Sequence, residues 1–141
     1  MIRVLLVLVL VLLAVGVAAW VGRRRDQGSP VTTRGSLPGH VRRSDFDRPD
    51  APWLVVLFSS ATCASCADAR RVVEPLASAD VAVADVEFTA QRALHERYAI
   101  DAVPSVIVCD ASGAVRAEFL GPPTAADLWS TMADLRDQEI D

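Results

Sequence analysis

The chain has 141 residues, 52% of them apolar, which is enough for one packed domain and too little for a multi-domain enzyme or a polytopic transporter. All 14 basic residues are Arg, which excludes a lysine Schiff base or a P-loop, and three Cys are too few for a disulfide-stapled secreted scaffold. Residues 51–141 hold fourteen acids against six Arg, whereas residues 1–50 hold eight Arg against four acids; the acidic part argues against a nucleic-acid partner.

Val4 to Val21 carries no charged residue. Eighteen helical residues reach roughly 27 Å, close to a hydrocarbon core, so residues 2–21 read as a transmembrane anchor. Trp20 stands at its end, where an indole favours the interface. A cleaved signal peptide is the competing reading, since Val17-Ala18-Ala19 has small-residue cleavage character. Arg23-Arg24-Arg25, directly after the span, outweighs Arg3 before it and favours a retained anchor with the rest of the chain cytoplasmic. Residues 22–40, rich in Gly, Pro and Arg, read as a flexible basic tether. The stretch from His40 to Phe46 has the makings of a short strand and a helical turn.

Trp53 to Phe58 is a continuous apolar run of strand length, as expected of a strand buried on both faces. Cys63 to about Ser78 is helix-like, with Pro75 expected to kink it. Val81 to Val86 is a second strand, Thr89 to Tyr98 a second helix, and Ser105 to Cys109 a third strand. Asp110-Ala111-Ser112-Gly113 is turn chemistry, so Val115 to Leu120 returns antiparallel. Thr124 to Asp127 is a capping-box pattern that opens a last helix, with Leu128, Met132 and Leu135 on its buried face. Alternating strands and helices predict an α/β fold with a mixed central β-sheet flanked by helices.

Cys63-Ala64-Ser65-Cys66 follows the first strong strand and opens a helix. A lone CxxC is also half of a zinc site, or two small buried residues. At a helix N-terminus, however, unpaired N–H groups and the macrodipole favour thiolate over thiol. A second sulfur one turn away suits thiol–disulfide exchange: the first thiolate attacks and the second resolves the mixed disulfide.

Phe58 to Cys66, Tyr98 to Val106 with its Val103-Pro104 pair, and Gly121 after the last strand together resemble the thioredoxin family over residues 41–138. The anchor, Arg-rich flank and tether ahead of them look like the membrane-anchored thioredoxin-like proteins of GC-rich Gram-positive bacteria. The resemblance implies a thioredoxin fold and a thiol–disulfide oxidoreductase. Cys63 would be the exposed nucleophile and Cys66 the shielded resolving thiol, the two forming the redox disulfide. Pro104 would be a cis-proline at the disulfide, with Thr62 and Val103 contacting substrate and the backbone of Val103 free to pair with it. No bound cofactor is implied. Partners would be a protein or small-molecule disulfide and an electron donor, either a thioredoxin system or a membrane thiol carrier. A non-catalytic module that binds a metal or a client, and an exported oxidoreductase of the cell envelope, are the alternatives.

The chain departs from the family pattern at several positions. Thr62 stands where Trp is usual, Ala64-Ser65 where Gly-Pro is usual, and Pro75 lies later than the usual helix proline. Leu57 occupies the place of the usual buried acid, so no carboxylate is expected there to take the resolving thiol's proton. Cys109 reads as a structural thiol, too far from Cys63 to pair with it. His40 lies in the tether and His95 on a helix otherwise polar at that face, and neither has metal-ligand spacing to the CxxC. Asp85 and Glu87 read as a strand-end surface, and Trp53 and Trp129 as core or half-buried aromatics.

Overall fold

The computed structural model describes residues 37–140. The anchor expected at residues 2–21, and the tether up to residue 36, lie outside the described residues. Among the described residues no helix is long and apolar enough to cross a membrane.

Four strands form one sheet in the order β2-β1-β3-β4, with β1 at Trp53–Ser59, β2 at Val81–Glu87, β3 at Ser105–Cys109 and β4 at Val115–Leu120. β1 pairs parallel with β2 and antiparallel with β3, and β3 pairs antiparallel with β4. The sheet is therefore mixed. Three helices accompany it: α1 at Cys66–Val73, α2 at Arg92–Arg97 and α3 at Ala125–Ile140.

Every residue of β1 is buried, which is why its sequence shows an unbroken apolar run rather than alternation. Trp53, Val55 and Leu57 pack on one face with Ala69 and Val73 of α1 and Leu128, Met132 and Leu135 of α3. Leu54, Val56 and Phe58 pack on the other face with Val41, Phe46 and Tyr98. The capping pattern at Thr124 forms as read: its hydroxyl accepts the Asp127 N–H at 3.1 Å and donates to the Asp127 carboxylate at 2.7 Å. Trp53 is buried, but Trp129 is half exposed.

Two helices are shorter than their sequence periodicity suggests. α1 stops at Val73, and Glu74–Leu76 continues as a 3-10 turn containing Pro75. Proline has no N–H to extend the α-helical ladder, so the helix ends ahead of it instead of bending through it. α2 begins only at Arg92, because the Glu87 carboxylate and carbonyl take the N–H groups of Ala90 and Gln91 and hold residues 88–91 in a turn.

The segment before β1 belongs to the domain. His40 bridges to Ala114, and Arg43–Asp45 forms a 3-10 turn. Val41 donates its N–H to the Gly113 carbonyl at 2.8 Å. Gly113 has φ +91°, and a Cβ there would lie 2.0 Å from the Val41 oxygen, so only glycine fits this approach.

Candidate active site

The parallel pairing with β2 and the antiparallel pairing with β3 bring three chain segments to one end of the sheet. Ser59 ends β1 opposite Glu87, and Ser105 starts β3 opposite Phe58. Ser59 leads through a turn into Cys63 and then into α1. Pro104 lies immediately ahead of Ser105, and Gly121, just after β4, donates its N–H to the Pro104 carbonyl at 2.8 Å. Topology thus gathers the CxxC, the Val-Pro pair and the terminal glycine.

Cys63 and Cys66 are joined in a disulfide, their Cα atoms 5.4 Å apart. Cys63 is half-buried and Cys66 is buried, so solvent and large partners reach the first sulfur before the second. The helix starts at Cys66, so Cys63 lies in the turn ahead of it rather than within the first helical turn. The Cys66 N–H points back at the Cys63 sulfur at 3.1 Å. The Ser65 hydroxyl lies 3.6 Å from the same sulfur. Both contacts favour negative charge on Cys63 when the disulfide is open.

Thr62 is exposed, its hydroxyl 3.1 Å from that of Ser60. The Val103–Pro104 peptide is cis. Among the described residues no hydrogen bond engages the N–H or C=O of Val103. Beside it opens a mostly apolar groove of about 240 Å³, with Ser60, Phe88, Ile100, Asp101 and Val103 on its walls.

Leu57 is buried at 1% exposure, so β1 itself supplies no acid beneath α1. A carboxylate nevertheless stands on this side of the sheet. Asp85, the register partner of Leu57 on β2, accepts the Ser59 hydroxyl at 2.6 Å and the Arg70 guanidinium at 2.6 Å. Ser59 is fully buried. The Asp85 neighbour holds the Arg70 guanidinium still more firmly protonated, through its hydrogen bond first and its charge second. Asp85 is therefore more than strand-end surface. Its sequence signal was a single acid inside the otherwise apolar Val81–Val86.

Glu87 was also read as surface, yet it braces the turn that leads into Cys63. Its carboxylate accepts the Ala90 N–H at 2.8 Å and the Ala61 N–H at 3.0 Å. The backbone N–H groups of Ala90, Thr89 and Ala61 hold its carboxyl below the usual glutamate range. No spacing rule in the sequence announces this contact.

The remaining candidates fall outside the site. Cys109 pairs with Leu54 at the far end of β1; it is buried, and burial pushes its thiol up to about 12. His95, read as lying on a polar helix face, is buried at 2% exposure. Its ring meets Phe58 and Phe88 edge-on, and its Nε2 lies 2.9 Å from the Val86 carbonyl. His95 of α2 and Tyr98, its C-cap, are both buried. Among the described residues no group of three or more possible metal ligands occurs.

No protein-family model matches the chain, and no curated protein sequence does either. Solved structures do match. The germline-specific thioredoxin Deadhead of Drosophila melanogaster aligns at TM-score 0.54 and 24% identity, over 62% of this chain and 84% of its own. A reduced thioredoxin pre-protein of Schistosoma mansoni aligns at TM-score 0.52 and 19% identity, over 60% and 80%. Mitochondrial thioredoxin 3 of Saccharomyces cerevisiae, in its oxidised form, aligns at TM-score 0.52 and 17% identity, over 61% and 81%. With the mixed sheet, the Cys63–Cys66 disulfide and the cis Val103–Pro104 bond gathered at one end, the described chain has the thioredoxin fold.

Proposed function

We propose that this protein is a membrane-tethered thiol–disulfide oxidoreductase that works through Cys63 and Cys66. The observation that carries the proposal is the asymmetric pair: a half-buried Cys63 receiving the Cys66 N–H, disulfide-bonded to a buried Cys66 that opens α1. Such a pair exchanges two electrons with a client disulfide. Cys63 thiolate attacks one client sulfur, a mixed disulfide forms, and one client thiolate leaves. Cys66 then attacks Cys63, closing the Cys63–Cys66 bond and releasing the second client thiolate. The Cys63–Cys66 dithiol itself carries the two electrons, so no cofactor takes part in these two steps.

Thr62 and Pro104 border the reacting sulfurs in this reading, and Val103 offers its backbone N–H and C=O to an extended client segment. The groove beside Val103 takes a client side chain. A thioredoxin system or a membrane thiol carrier regenerates the dithiol. Residues 2–21 anchor the chain as a single pass, and Arg23-Arg24-Arg25 keeps the domain cytoplasmic.

Reduction of insulin by dithiothreitol tests the chemistry. The wild-type protein should accelerate it and Cys63→Ser should not. No acceleration by the wild type would leave a binding module as the better description. A C-terminal alkaline phosphatase fusion tests the placement: it should be inactive, and an active one would move the domain outside.

A further inference from the structure

We propose that the groove beside Val103 selects clients that carry a basic side chain next to the reacting cysteine, with Asp101 as the residue that makes the choice. The proposal rests on the exchange reading above and names the class of client it serves.

Ser60 ties the groove to the nucleophile. It stands on the groove wall, and its carbonyl accepts the Cys63 N–H at 3.1 Å. A turn closed in this way keeps its end residues within about 7 Å at Cα, and extended chain advances about 3.3 Å per residue. A side chain seated in the groove therefore belongs to a client residue one or two positions from the client cysteine. Val103, also on the wall, has its backbone N–H and C=O free for that extended segment.

The lining decides what fits. Phe88, Ile100 and Val103 offer apolar surface to an aliphatic stem, and Phe88 is 37% exposed. The polar groups among them are acceptors. His95 also lines the groove, and its Nε2 lies 2.9 Å from the Val86 carbonyl. A carbonyl only accepts, so Nε2 carries the hydrogen, and the uncharged ring leaves Nδ1 as an acceptor. Among the described residues nothing bonds to Nδ1, yet it is not sealed away; the sealed side-chain atom without a partner is Arg43 Nε. Asp101 is exposed, and among the described residues no ion pair engages it. The Ser60 hydroxyl is occupied with that of Thr62. A long apolar stem that ends in donors, as in Arg or Lys, answers this lining. A client Glu would set one more acceptor against it, and a purely apolar side chain would displace water without supplying a donor.

The surrounding charge has the same sense. The Glu87 carboxylate is held by the Ala61 and Ala90 N–H groups and, among the described residues, by no cation. Arg92 is the opposing charge, its guanidinium 4.9 Å over the Phe88 ring. That contact shows the ring already receiving a cation on its face. Beyond the groove, the fourteen acids and six Arg of residues 51–141 draw basic clients from a distance.

Short peptides joined through a single cysteine to thionitrobenzoate test the choice, with the reduced full-length protein and thionitrobenzoate release as the readout. A residue flanking the cysteine is Arg, norleucine or Glu, in low salt near pH 7. Control peptides carry the same residues about seven positions away, so that they share net charge but not the groove. Each rate is divided by that with dithiothreitol, which removes the peptide's own reactivity. Arg:Glu ratios are then compared within each protein variant, which cancels any change in Cys63. The wild type should favour adjacent Arg over adjacent Glu by about tenfold, a weak attraction multiplied by a weak repulsion. Norleucine should fall between them, and the remote ratio should stay within about threefold. Asp101→Asn should bring the adjacent ratio down to the remote one, and Asp101→Lys should put Glu ahead of Arg. Asp101 is exposed, so both variants should fold.

An adjacent ratio equal to the remote one in the wild type would overturn the assignment. So would an adjacent ratio that Asp101→Asn leaves unchanged, or norleucine outrunning Arg. If the wild type released thionitrobenzoate from no peptide, the exchange reading itself would fail, and the client selection with it.

Discussion

The sheet carries an Asp–Arg–hydroxyl cluster on each face, and the two are built differently. On the α1 face, Asp85 binds Arg70 and the Ser59 hydroxyl. On the α2 face, Asp45 accepts Tyr98 Oη at 2.5 Å and Arg97 at 2.7 Å. Asp45 is 11% exposed at its side chain against 31% for Asp85. The drier cluster joins residues 53 apart in sequence, and the Arg42 N–H adds a bond to the Tyr98 oxygen at 3.0 Å. It fastens the segment before β1 onto the domain. The wetter cluster joins neighbouring elements beside the redox turn. The Asp45 carboxylate is the shielded member of a long-range clasp, although Arg97 is 48% exposed, whereas Asp85 stays about one-third open to solvent.

The largest expected effects fall on the two sides separately. Cys63→Ser should abolish disulfide exchange while leaving thermal stability, measured in the reduced state, close to wild type. Gly113→Ala should do the reverse. Its Cβ would strike the Val41 carbonyl, and φ +91° strains any side chain there. Calorimetry should register a loss of several kcal/mol, about 2–4 by analogy with other strained backbone sites, with the Cys63 reaction retained in the folded fraction. A redox defect in folded Gly113→Ala would break the separation between the two regions.

Asp45→Asn should cost less, about 2 kcal/mol, the scale of hydrogen bonds to a charged acceptor. Denaturant melts near pH 7 measure it. The pH dependence has a definite sign at both ends. The Tyr98 hydrogen bond, followed by Arg97, holds the Asp45 carboxyl below its usual range. Its stabilisation is full above the unfolded value of about 3.9 and is lost as pH falls through the lower native value. Burial, and then the Asp45 bond, push the Tyr98 phenol upward. That contribution is full below the unfolded value of about 10 and is lost as pH rises through the higher native value. Tyr98→Phe should flatten both limbs. A wild-type profile with the same steepness at both ends as Tyr98→Phe would remove the clasp from the account.

Much of this organisation was legible in the sequence, and the unread parts share a cause. Strand positions followed from apolar runs, because β1 and β3 are buried on both faces and nothing interrupts them. The CxxC stood out because strand, turn and helix follow in order. Helix ends were misjudged where a single contact decides them: Pro75 for α1 and the Glu87 carboxylate for α2. The Asp85 cluster showed in the sequence only as a lone acid in Val81–Val86, because its contacts depend on register. Only the pairing of Leu57 with Asp85 places an acid beside a position that looks purely apolar in β1. His95 was misread for a similar reason, since its burial depends on Phe58 and Phe88 closing around it.

The smallest expected effect is the sharpest test of the contrast between the clusters. Arg70→Met keeps most of the aliphatic stem and removes the guanidinium from Asp85 and Ser59. Both ionic partners are about one-third exposed, at 36% and 31%, so solvent already screens the pair. The native-state loss should be about 0–1 kcal/mol, the range measured for exposed ion pairs. Arg97→Met removes a partner from an acid that is 11% exposed and also bound by Tyr98, although Arg97 itself is 48% exposed, so it should cost somewhat more than Arg70→Met. The two variants are compared by urea melts at low and high salt. Salt should shrink the Arg70 effect toward zero and leave more of the Arg97 effect in place, because the Asp45 end of that pair is shielded. Equal losses with equal salt dependence would mean that exposure does not separate the clusters, and that the α1-side network is a clasp of the same kind.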